Sequence, residues 1–266
     1  METILQGEGL EKGCNQLLEM MGNAAAAAVT DRSFAVPDGV HNGQYGVGIV
    51  IDFFGLAGKY SGFPVDFVYP SMTSVVPANI ALIAGGKNPD EAKKFMAFSM
   101  STEGQQLLFD PKISRLPILP YSQLKAPAGY PDPQEVAKRA KVQFDANLSE
   151  ARYQVVTSLF DQMVTFRLKE LQGATKAIKD AEKALKAKPY ARGRDLVKQA
   201  RALAYTPLVG AENVKNEQFL ELFRKSRRDV EVSKQLSGQE QLWANKAREN
   251  YARAQQLATE ARGLAK

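Results

Sequence analysis

Apolar residues recur at steps of three and four through most of the C-terminal half of the chain. From Leu148 through Leu159, Met163, Leu171 and Ile178 to Leu185 this spacing predicts one long helix, or two in line, ending before Pro189. A shorter helix over Arg192–Tyr205 is stopped by Pro207. A third is expected over Asn216–Gln235 and a fourth over Gln239–Ala265, the latter carrying Trp243 and Tyr251. The connections are short, so neighbouring helices should run antiparallel.

The N-terminal half reads differently. Leu10, Cys14, Leu17, Leu18 and Met21 have helical spacing, which turns Cys14 inward. Tyr45–Asp52, a β-branched run after Asn42-Gly43, predicts a buried strand, and Val65–Tyr69 a second one stopped by Pro70. Val76–Ala84 reads as an apolar helix with Pro77 in its first turn. Asn88–Phe98 is a further helix, with Asn88 as cap, Pro89 in the first turn and Asp90 and Glu91 at the positive end of the dipole. Ser101–Phe109 adds another short one. Strands alternating with helices predict an α/β lobe.

Composition sharpens the division. Of 20 glycines and 13 prolines in 266 residues, 15 and 11 precede residue 146. Residues 1–145 carry 12 Lys and Arg against 15 Asp and Glu, whereas the remainder carries 23 against 14. The overall charge of +6 therefore belongs to the second half. The expected organisation is an α/β region over 1–125, a Pro-rich linker over 126–145 and a helical extension over 146–266. Hydrophobic residues at 44% and charged residues at 24% are ordinary globular usage. The apolar run Ala24–Val29 is far too short to span a bilayer. One cysteine and one histidine exclude a disulfide framework, a multi-cysteine cluster and a His-rich zinc site. No nucleophile with a base, metal-ligand spacing or phosphate-binding glycine loop is present, so the reading is non-enzymatic, with no cofactor and no metal.

Five segments in order carry a family resemblance: Gly43–Asp52, Phe67–Thr73, Pro77–Ala81, Asn88–Phe95 and Ser101–Leu108. Together they resemble bacterial extracellular solute-binding proteins of ABC transporters, in the branch that binds ferric ion, hexose phosphates and phosphoglycerates. The tail from Phe144 to Val156 is similar to the extension of the phosphoglycerate-sensor type. The resemblance implies a partial periplasmic-binding-protein fold, of the type II Venus-flytrap kind, followed by an all-helical C-terminal region. It also implies a periplasmic location, a small anionic metabolite as ligand, and an ABC permease or membrane sensor as partner, the protein being peripheral to the membrane. Met1–Glu8 has neither the basic nor the apolar character of an export signal, so the chain is expected to lack its signal and first lobe.

Within that resemblance, Phe53 and Phe54 stand where ferric binders place paired tyrosines, which argues against iron. Asp52 offers acceptors for ligand hydroxyls, and Ser71, Thr73 and Ser74 offer hydroxyls before the expected Pro77 helix, where an anion would be favoured. Each has a blander reading. Asp52 caps a turn, Phe53 and Phe54 belong to a core, Tyr69 is a packing residue as readily as a ligand donor, and Ser71 and Thr73 are caps. His41 reads as a solvated turn residue. The basic clusters Lys176–Lys188 and Arg224–Arg228 read as solvated helix surface, as a face for an acidic protein or lipid, or as a nucleic-acid face. The last is disfavoured because stacking aromatics are missing. Two functions follow. One is an extracytoplasmic solute-binding component of an uptake or sensor system, binding a phosphorylated or carboxylated metabolite. The other is a helical interaction or regulatory module carrying a degenerate, non-binding lobe.

Overall fold

The computed structural model describes residues 1–24, 32–225 and 229–265. In chain order its α-helices are α1 (Glu2–Glu8), α2 (Leu10–Asn23), α3 (Ala35–His41), α4 (Asp52–Tyr60), α5 (Pro89–Ser99) and α6 (Thr102–Gln106). They continue with α7 (Pro133–Arg139), α8 (Ala146–Met163), α9 (Leu168–Ala187), α10 (Ala191–Tyr205), α11 (Glu217–Lys225) and α12 (Val230–Leu264). Four 3-10 turns complete the set, and among the described residues there is no strand. This overturns the expected α/β periplasmic-binding-protein fold. The chain forms two units, one from residues 1–29 with 145–266 and the other from residues 30–144.

The first unit is an assembly of helices around one core. On α9, Leu171, Ala174, Ile178, Ala181 and Leu185 form a buried stripe at the predicted spacing. On α12, Ala247, Tyr251, Ala254, Ala258 and Ala261 are almost fully buried, and the small alanines let α9 and α10 approach closely. Tyr251 and Tyr205 bury their rings and satisfy their hydroxyls, Tyr251 donating to Met163 O at 2.8 Å and Tyr205 to Thr175 Oγ1 at 3.2 Å. Trp243 stacks on Phe223 of α11 with centroids 5.6 Å apart. Helix α2 lies so close to α9 that a Cβ on Gly22 would overlap Thr175 Oγ1.

The sequence breaks fall differently from the pattern. Asp145 caps α8 by accepting from Leu148 N at 2.9 Å, and a 3-10 turn at Thr165–Arg167 separates α8 from α9. Asp229 caps α12, accepting from Glu231 N and Val232 N at 2.9 and 3.2 Å. From there α12 runs for 35 residues straight through Gly238, where two helices were expected. A single glycine costs a helix about 1 kcal/mol, which does not end one that is capped at Asp229 and packed from Trp243 to Ala261. The expected Asn216–Gln235 helix crosses residues 226–228, which lie outside the described residues, as do residues 25–29 of the apolar run.

The second unit consists of short helices and extended connections. Its small core is Leu56, Phe109 and Tyr130, with Tyr60, Phe67 and Tyr121 packed around it. The stretch expected as a linker takes part in this packing, since Tyr130 and Val136 are buried. The expected strands at 45–52 and 65–69 and the helix at 76–84 are extended or irregular and unpaired, leaving Val47, Ile49, Val68, Ile80 and Ile83 exposed. Strand propensity is a preference for a half-buried pleated surface, and no neighbouring strand supplies one here. The segment 76–84 lacks both a cap and a polar face.

Candidate functional site

Four of the seven residues singled out in the sequence meet around the start of α4. Asp52 is the first residue of that helix, which places Phe53 and Phe54 in its first turn instead of after a strand. Asp52 Oδ1 accepts from Phe53 N at 2.8 Å, and Oδ2 accepts from the Tyr69 hydroxyl at 3.0 Å. Tyr69 also packs edge-on against Phe67, centroids 4.8 Å apart. Phe53 and Phe54 lie against each other at 4.3 Å, and Phe34 meets Phe54 edge-on at 5.0 Å. The structure thus brings together Asp52, Phe53, Phe54 and Tyr69.

Ser71, Thr73 and Ser74 are placed differently. They lie in an extended segment with no helix after it, so the dipole argument for an anion at that position loses its physical basis. The Ser71 carbonyl accepts from Lys141 N at 3.2 Å.

One participant escaped the sequence reading. Arg115 holds its guanidinium 3.4 Å from the centre of the Phe53 ring, a cation–π contact between residues 62 positions apart. It follows Ser114, a buried residue in the left-handed region at φ 48°, whose hydroxyl donates to Pro111 O at 2.9 Å. The Tyr130 hydroxyl donates to the Arg115 carbonyl at 3.3 Å. No local signal in the sequence marks Arg115 as a partner of Phe53. His41 is likewise not a solvated turn residue, for it ends α3 half-buried and stacks on Phe63 at 4.4 Å.

Electrostatically the cluster holds its protons. Burial, then the Asp52 charge, pushes the Tyr69 phenol far above its ordinary range. Burial also raises Tyr121, and raises Tyr130 to about 12. These phenols donate hydrogen bonds at neutral pH and release no proton there. With both Asp52 oxygens engaged, the arrangement is a satisfied cluster beside one exposed arginine.

The clusters of the helical unit differ in how far their charge is compensated. Arg224 pairs with Glu217 at 2.7 Å and Glu221 at 3.2 Å, and Lys225 pairs with Glu221 at 3.2 Å. Residues 226–228 of that cluster lie outside the described residues. On α9, Lys176 pairs with Asp180 at 2.9 Å.

The fold and clusters define a helical protein without a recognisable solute-binding architecture. Two curated proteins are similar to it, the phosphoglycerate transport regulatory protein PgtC of Salmonella typhimurium strain LT2 and that of Salmonella typhi. Each is 30% identical over 187 residues, which is 70% of this chain and 45% of the relative. The matched region thus spans less than half the length of the curated relatives. No protein-family profile matches, and no solved structure gives a significant match. The expected kinship with extracellular solute-binding proteins is corrected on two grounds, namely helices without strands among the described residues and relatives named as regulators of transport.

Proposed function

We propose that this chain is a helical regulatory module of a membrane transport system for phosphoglycerates, acting through contacts with other components of that system. The observation that carries this reading is the 30% identity over 187 residues to PgtC, named a phosphoglycerate transport regulatory protein. The physical picture is consistent with it. The helical unit has a continuous core of its own, and the Asp52 cluster engages its hydrogen bonds internally.

The test is a strain whose chromosomal copy is deleted and then restored on a plasmid. The expected result is that phosphoglycerate uptake, or expression of the transporter, loses its response to external phosphoglycerate in the deletion and regains it on complementation. An unchanged response overturns the reading. Calorimetric titration of the purified chain with 3-phosphoglycerate separates regulation through partners from direct sensing, because tight binding would return the chemistry to this chain.

A further inference from the structure

The outer surface of α9 carries cations that no close ion pair holds, although the Lys183 charge is felt at Asp180. Lys179, Lys183 and Lys186 are spaced i, i+4 and i+7, so they share one face, and all three are exposed. The two acids closest to that face are already engaged. Asp180 holds Lys176 at 2.9 Å and Arg262 at 3.6 Å, and Glu182 holds Arg201 at 3.0 Å. Among the described residues no ion pair forms to Lys179, Lys183 or Lys186. Helix α10 packs beside α9 and extends the field: Arg194 and Lys198 are exposed, and their spacing puts them on the side of α10 from which Arg201 reaches Glu182. The other acids of the two helices are Glu170, which stands near Tyr251, and Asp195, which adjoins Arg194.

We propose that this face of α9 and α10 is an electrostatic docking surface for an anionic bilayer, its lysines and arginine taking the phosphates of acidic phospholipid headgroups. The chemistry selects this occupant. Protein interfaces place aromatic and apolar anchors at their centre and exclude lysine from it, whereas here lysines hold the centre and the one exposed ring among the described residues of α9 and α10, Tyr190, stands at the start of α10. A single-stranded nucleic acid would need a series of stacking rings, and Tyr190 alone does not form one. A lipid surface asks only for several mobile cations within reach of one plane. The lysines from 179 to 186 supply that along about 10 Å of helix axis. The inference rests on these charges and their engaged neighbours, not on the regulatory reading, and either one survives the failure of the other.

The experiment is flotation of the intact chain with vesicles of equimolar phosphatidylcholine and phosphatidylglycerol, compared with phosphatidylcholine alone. Binding is expected only to the anionic vesicles and should fall steeply with added salt, because the Debye length at physiological ionic strength is about 8 Å. Each cation near the surface contributes about fivefold, so Lys179→Glu/Lys183→Glu/Lys186→Glu, which removes three cations and adds three anions, should lose at least about a hundredfold. The matched triple Lys→Arg variant should retain binding. Circular dichroism should show that each variant keeps its helices, since the substituted positions are exposed. Equal binding to both vesicle types, equal binding by the charge-reversed variant, or tighter capture by an acidic polypeptide or duplex DNA at the same salt overturns the proposal.

Discussion

Arg152 reaches across 150 positions of sequence to Glu2, its Nε and Nη2 donating to the carboxylate at 3.0 and 2.8 Å. Both side chains are nearly buried, at 7% and 13% exposure, so the pair ties α1 to α8 inside the helical unit. Removing one partner leaves a buried charge alone, and Glu2→Ala should lower unfolding stability by about 3 kcal/mol. The double variant Glu2→Leu/Arg152→Met should recover most of that in urea denaturation. If it does not, the pair does more than close its own charge.

The α2–α9 contact is set by a missing side chain. Because a Cβ on Gly22 would overlap Thr175, Gly22→Ala should cost about 1–3 kcal/mol despite the better helix propensity of alanine. Gly22→Ala/Thr175→Ala should be less destabilised than the two single losses summed, which a double-mutant cycle in urea would read.

Loss of the α12 cap is a smaller effect. Asp229→Ala should cost about 1 kcal/mol, with Asp229→Asn close to wild type, since either side-chain oxygen accepts from the backbone. Thermal unfolding would rank the three proteins.

Alkaline pH should unfold the chain in a defined direction. Burial raises the phenols of Tyr69, Tyr121, Tyr130, Tyr205 and Tyr251 above the ordinary value of 10.0. The folded state therefore keeps protons that the unfolded chain releases. Their contribution is complete below pH about 10 and disappears as pH rises through the folded values, about 12 for Tyr130. Tyrosinate absorbance should lag in the native protein and appear together with the loss of helix. A full tyrosinate signal with helicity intact would contradict this.

Cys14 should behave as an inert thiol. Burial pushes it up to about 11, although the Arg152 charge pulls the other way. A disulfide reagent at neutral pH should label it slowly in the native chain and at once in urea.

How much of this was legible varies with the range of the interaction. The α10 helix, expected over Arg192–Tyr205, forms over Ala191–Tyr205, and α5 starts at Pro89 as its proline and acids suggest. Those are local signals. The failures at 45–52 and 65–69 share one cause. A run such as Val47, Ile49 and Ile51 announces a strand only if another strand lies beside it, and no residue within the run carries that information. The Arg115–Phe53 and Arg152–Glu2 contacts were invisible for the same reason. Gly238 shows the opposite error: it stands between two expected helices, yet α12 runs through it, held by the Asp229 cap before it and the packed stretch from Trp243 after it.

The helical unit is assembled from both ends of the sequence. Residue Gln6 clamps the entry to α8, donating to Asp145 O at 3.0 Å and accepting from Asp145 N at 2.7 Å, so the 115 residues between 30 and 144 are an excursion that leaves and rejoins one body. During synthesis α1 and α2 must wait for α8 to α12 before their apolar faces are covered, whereas the excursion has all of its own partners in hand earlier. A protease that cuts inside the excursion would sever the chain without separating it. The two fragments would travel together until denaturant parted them.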